Sequence, residues 1–224
     1  NSGRSNFKQF FEIVMELIGD IDYESNHVLS RNEYFFNQFF TAPISLKTVM
    51  DAFAGELEIE FTSPNDELQS GVDGGLFYVS AVHALNQYQS RKKSMQARPS
   101  ELDAIISTLT TDILYNTKRF ESWYLLGKCY SFVVEDDLTW TSDKLASRDK
   151  KQATAFADKK AILCYLMALN LYLSTSSQVN SELMKNDNKI VFRGLLEALG
   201  KEMLQAYIKP MTSMSYTWKP KPVL

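Results

Sequence analysis

The side chains able to do chemistry are few and scattered. His27 and His83 each stand alone in an apolar stretch with helical spacing. That setting suits a half-buried, hydrogen-bonded imidazole better than a general base or a metal ligand. Cys129 and Cys164 have no histidine at ligand spacing, so no zinc site is spelled out. Gly71 and the pair Gly74-Gly75 lie outside any G-x-x-x-x-G-K context, and no G-x-S-x-G elbow occurs. Carboxylate pairs exist, but none is marked out as acid and base. The sequence therefore predicts no catalytic, cofactor-binding or metal-binding residue, and a protein that is not an enzyme. What remains is charge beside aromatic rings. Glu135, Asp136 and Asp137 run into Leu138-Thr139-Trp140, and acid next to an exposed aromatic suits a basic protein partner. The competing reading is a solvated turn with Trp140 tucked into the core. Arg91-Lys92-Lys93, with Arg98, reads as a helix C-terminus. It lacks the interleaved aromatics of a nucleic-acid platform.

These candidates flank a better-defined pattern. Trp123, Leu126, Gly127 and Tyr130 match the first-helix signature of a tetratricopeptide (TPR) repeat, W-x-x-L-G-x-x-Y. Positions i, i+3, i+4 and i+7 fall on one helical face. Three are bulky, and Gly127 opens a gap through which a second helix can approach the backbone. The expected partner follows late. Ala161, Tyr165 and Ala168 have the spacing of the second helix of the repeat. An ordinary repeat puts about 16 residues between the Trp and that first Ala; here Ala161 follows Trp123 by 38. The surplus is read as a connector over 131–150, long enough to be functional.

Length and composition set the frame. The chain's 224 residues suffice for one large helical domain, and its 45% apolar content is that of a globular protein. No apolar run approaches the 18 residues of a membrane span, and no signal-peptide pattern is visible. A net charge of −3 is too balanced for a nucleic-acid-binding domain. Buried free thiols are expected at Cys129 and Cys164, with a reducing compartment. The start at Asn1 suggests a piece of a longer protein.

Elsewhere, apolar residues recur at helical spacing. Helices are expected across 1–55, where Ser45 can cap one and Gly55 can stop it. Residues 56–75 read as a loop, opened by the alternating Glu56-Leu57-Glu58-Ile59-Glu60-Phe61. TPR-like hairpins are expected over 76–210, with Pro99 starting one helix and a last helix at about 179–208. An extended tail over 211–224 completes the chain. The fold class is all-α, read as an α-solenoid of TPR-like helical hairpins in one continuous domain.

The blocks Arg119-Phe-Glu-Ser-Trp-Tyr-Leu-Leu-Gly-Lys-Cys-Tyr130, Glu135-Asp-Asp-Leu-Thr-Trp-Thr-Ser-Asp-Lys-Leu145 and Lys160-Ala-Ile-Leu-Cys-Tyr165 together resemble the large TPR subunit of the HIR histone-chaperone complex in its fungal form, a relative of calcineurin-binding protein cabin. The resemblance is good over about 119–172 and general elsewhere. It implies an internal module of a large, nuclear, non-enzymatic scaffold in replication-independent histone deposition and transcription regulation. Its implied partners are other HIR-complex subunits and core histones, with no cofactor, membrane, small-molecule substrate or sequence-specific nucleic acid. The alternative is a TPR adaptor for peptides of non-chromatin partners such as molecular chaperones. That use needs a basic clamp, for which the Trp123 helix offers Lys118, Arg119 and Lys128.

Overall fold

The structure is a computed structural model that describes residues 2–19, 21–140, 147–176 and 185–219. Ten helices, and no strand, occur among the described residues. They are α1 (Ser2–Ile18), α2 (His27–Thr41), α3 (Leu46–Ala54), α4 (Gln69–Asp73), α5 (Leu76–Lys93), α6 (Pro99–Tyr115), α7 (Phe120–Trp140), α8 (Arg148–Ser176), α9 (Lys185–Tyr207) and α10 (Met214–Thr217). Local chemistry sets several ends. The Asn26 side chain accepts from the amides of Val28 and Leu29 to open α2. Ser45 and Thr48 form a capping box on α3, and Gly55, at φ 76°, ends it in the left-handed region.

The bundle is built around α8. Residues 161–170 are buried on every side of that helix. It packs most extensively on α7, then on α9 and α3, and also touches α10 and α2. Its neighbours thus come from both ends of the chain. In a solenoid each hairpin touches only its sequence neighbours. The expectation is met at the level of class, all-α, while the contacts are those of a bundle with a central helix.

Three stretches differ from the sequence reading. Residues 131–140, assigned to the connector, are helical, because Val134 continues the buried face of Trp123 and Tyr130 by one more turn. Thr154 and Ala155 do the same for α8, which begins at Arg148. Of the predicted 131–150 connector, 131–140 and 148–150 are thus helical, and 141–146 lie outside the described residues. The loop assigned to 56–75 contains α4, held by the fully buried Val72. The tail assigned to 211–224 is folded over most of its described length. Met211 and Ser215 are fully buried, and the Trp218 ring stacks on Phe156 at 3.8 Å.

The Trp123 motif explains the α7–α8 seam. Trp123 is fully buried against Phe36 and Phe39 of α2, with centroid distances of 5.7 and 5.8 Å. Its Nε1 donates to the Thr117 carbonyl at 3.0 Å. Gly127 faces α8. A Cβ built there would lie 2.7 Å from Cε1 of Tyr165. The Tyr165 hydroxyl is tied to Ser131 Oγ at 2.8 Å, so the ring has little room to yield. Ala161 and Ala168 are fully buried on either side of Tyr165 along α8.

Gly127→Ala should therefore destabilise the bundle despite a helix-propensity gain of about 1 kcal/mol. Overpacking against Tyr165 outweighs that gain, for a net loss of about 1–2 kcal/mol. Gly127→Leu should lose more. Urea denaturation checks both; an alanine variant as stable as wild type would place Tyr165 away from Gly127.

Candidate protein-binding surface

The acidic run sits on the last turns of α7, where α5 and the start of α8 meet it. Asp136 is a shared acceptor. Lys92 Nζ lies 2.7 Å from its Oδ1, and the Tyr88 hydroxyl donates to its Oδ2 at 3.1 Å. Tyr88 and Lys92 are one helical turn apart on α5, so one face supplies both donors. The same ammonium reaches Glu135 at 3.4 Å and lies 4.7 Å from the Phe132 ring centroid. Asp137 pairs with Lys150 Nζ at 2.7 Å and accepts from Thr154 Oγ at 2.7 Å, both on α8. Burial and the Asp136 carboxylate raise the Tyr88 hydroxyl's pKa above its usual range.

The run is thus a seam between helices before it is a surface. Side-chain exposure falls from 52% at Glu135 to 30% at Asp136 and 15% at Asp137. Glu135 is the carboxylate most open to a partner, and the other two hold α7 to α5 and α8. A groove of about 570 Å³ opens beside them, with Met95, Ala97 and Pro99 on its far wall. Trp140 ends α7, and its side chain lies outside the described residues. Lys92, counted in the sequence as part of a helix terminus, is the cation that organises this surface.

The other candidates resolve into structure. His83 shares a 2.7 Å contact with Gln87 one turn on. Cys129 and Cys164 are free and buried, and burial pushes the Cys129 thiol up to about 12 and Cys164 well above its ordinary value. Such thiols are poor nucleophiles. Among the described residues no group of three or more His, Cys, Asp or Glu could hold a metal.

Sequence reading missed a buried polar cluster at the C-terminal end of the bundle. Asp158 on α8 accepts from Ser215 of α10 at 2.6 Å. Its carboxyl lies within hydrogen-bonding reach of Glu202 on α9. As carboxylates, Asp158 Oδ1 and Glu202 Oε2 would both lack a donor. One proton held between them removes that fault, and burial raises the pKa of Asp158 to about 8. Beside it, Lys159 Nζ donates to the carbonyls of Thr41 and Trp218, at 3.3 and 3.2 Å. The only sequence signal was a charged pair, Asp158-Lys159, entering an apolar helix.

The fold is a helical bundle, and the polar side chains of this surface are largely spent on holding helices together. The chain belongs to the HIR3 helical bundle domain family, whose model matches residues 1–223. It is 88% identical over its whole length to histone transcription regulator 3 homolog of Kluyveromyces lactis, covering 14% of that protein. It is 53% identical over 217 residues to the protein of that name from Eremothecium gossypii, and 27% over 216 residues to that from Yarrowia lipolytica. The chain thus spans about a seventh of the K. lactis relative.

Two outcomes follow from these contacts. Asp136→Lys should cost about 2–4 kcal/mol, because it sets two ammonium groups together and strands Tyr88; thermal denaturation checks it, and the matching Glu135→Lys should cost under about 1 kcal/mol. The raised pKa of Asp158 has the opposite sign to an ordinary ion pair. Its folded form keeps a proton that the unfolded carboxyl releases near 3.8. The favourable contribution is therefore complete below that pH and is lost as pH climbs towards about 8. Asp158→Asn, whose amide donates to Glu202 at any pH, should gain on wild type between pH 5 and pH 9. Melting curves at the two pH values with parallel shifts would exclude the shared proton.

Proposed function

We propose that this chain is an internal, non-catalytic module of a HIR-type histone-chaperone scaffold. Through it the parent protein takes part in replication-independent nucleosome assembly and transcription regulation in the nucleus. The observation that carries this reading is the family match across residues 1–223, together with relatives named as histone transcription regulators. The partners are other HIR-complex subunits and core histones. Within the module, α7 and α8 act as one TPR-like hairpin enclosed by the bundle, and the acidic end of α7 is a contact surface. Glu135 offers the open charge there, beside Asp136 and Asp137, and Trp140 ends the same helix. No described helix is long and apolar enough to cross a membrane, which suits a module that works against other proteins.

The adaptor alternative loses its clamp. Arg119 is consumed by the buried Asp112 and by the carbonyls of Val72 and Asp73. Lys128 lies over the Tyr124 ring at 4.6 Å. Of the three bases near Trp123, only Lys118 is left to meet a terminal carboxylate.

The test removes the bundle from the full-length protein and purifies the remainder from nuclear extract. Loss of at least one HIR subunit or of the core histones is expected. Undiminished recovery of all of them would refute the reading, and recovery of a heat-shock chaperone with the intact protein alone would favour the adaptor.

A further inference from the structure

The segment that follows Gly55 is extended but belongs to no sheet, and two buried asparagines hold it. Asn170 of α8 accepts from the Leu57 amide at 2.7 Å and donates to the Leu57 carbonyl at 2.8 Å. Asn32 of α2 does the same for Thr62, at 3.0 and 2.7 Å, and also donates to the Leu114 carbonyl. A side-chain amide that pairs both polar groups of one residue stands in for a neighbouring strand. Between these pins the backbone groups of Glu58 and Glu60 make no hydrogen bond among the described residues; the 2.9 Å bond from the Phe61 amide to the Ile59 carbonyl passes across Glu60 and uses neither of its groups. Leu57, Ile59 and Phe61 pack inward, while Glu56, Glu58 and Glu60 face water.

A groove of about 640 Å³ runs between this segment and the turn joining α6 to α7. Met167 and Leu171 of α8 contribute an apolar part of its lining. Three carboxylates, Glu58, Glu60 and Asp73, line it against the ammonium of Lys118, and Arg31 of α2 reaches Glu60 from outside the lining at 3.5 Å, both side chains being exposed. The groove therefore offers what a strand-adding peptide needs: a pinned extended backbone with open polar groups, an apolar lining and an excess of negative charge.

We propose that this groove binds a basic peptide in extended conformation, which pairs with the backbone at Glu58 and Glu60 and sets its lysines or arginines against their carboxylates. The proposal rests on the groove alone and stands or falls separately from the assembly role above.

The experiment uses the full-length protein and a fluorescent peptide of alternating lysine and valine. Hydrogen exchange should slow at the amides of residues 58–60 when the peptide is added. Anisotropy should show binding that weakens with salt. Glu58→Lys with Glu60→Lys should lower affinity at least about tenfold, since like charges set together cost more than 1.4 kcal/mol, without changing the melting temperature. A peptide N-methylated at alternate amides should bind as weakly. Unchanged exchange at 58–60, or equal affinity of the double variant, overturns the proposal. So does protection of those amides that rises with protein concentration alone, which would assign the groove to a second copy of the chain.

Discussion

A helix that is apolar on every side cannot face water. Residues 161–170 of α8 form such a helix, and the rest of the bundle follows from the need to enclose them. One hairpin partner covers a single stripe. Burying the remaining sides takes α3 and α2 from the N-terminal third and α9 and α10 from the C-terminal end. The non-local contacts are thus a consequence of composition in one ten-residue stretch. Burial of apolar area supplies the driving force but does not choose between arrangements, because it has no direction.

Direction comes from the polar groups on α8. Lys159 donates to Thr41, the last residue of α2, and to Trp218, just beyond α10. One cation therefore answers two helix C-termini, where carbonyls lack partners and the dipole is negative. Asp158 fixes α10 through Ser215, and Asn170 fixes the extended segment through Leu57. Each such group would be costly if left alone in the interior, so each admits only the arrangement that supplies its partner. Three polar residues on one helix thereby set the register of three distant parts of the chain.

Much of this was readable in the residues. Ser45, Gly55 and Pro99 act locally, through their own backbone or an amide within three residues, so their roles at helix ends could be seen. The Trp123 to Tyr130 spacing likewise required a close partner helix at Gly127, and Tyr165 is that contact. The acidic run was harder. A charge run has the same appearance whether it faces water or another helix, and only the fold brings Lys92 and Tyr88 to Asp136. The helical extent of 131–140 was obscured because Glu135, Asp136 and Asp137 resemble a solvated turn, while the buried Val134 that decides the matter is one residue among them. The Asp158 and Glu202 pair could not be found at all, since its members lie 44 positions apart on different helices.

The same contrast explains how a repeat signature can sit in a structure that is not an array. The signature encodes a pair of helices: a gap at Gly127 and a ring at Tyr165 to fill it. It leaves open what covers the other faces of that pair. In an array the next hairpin would do so. Here Trp123 packs under Phe36 and Phe39 of α2, an aromatic helix that no repeat pattern specifies. The hairpin is therefore enclosed rather than stacked, and its signature residues are turned inward to the core. What the enclosure leaves exposed includes Glu135 at the end of α7 and Glu56, Glu58 and Glu60 of the extended segment, charges that lie outside the packing that the Trp123 motif secures.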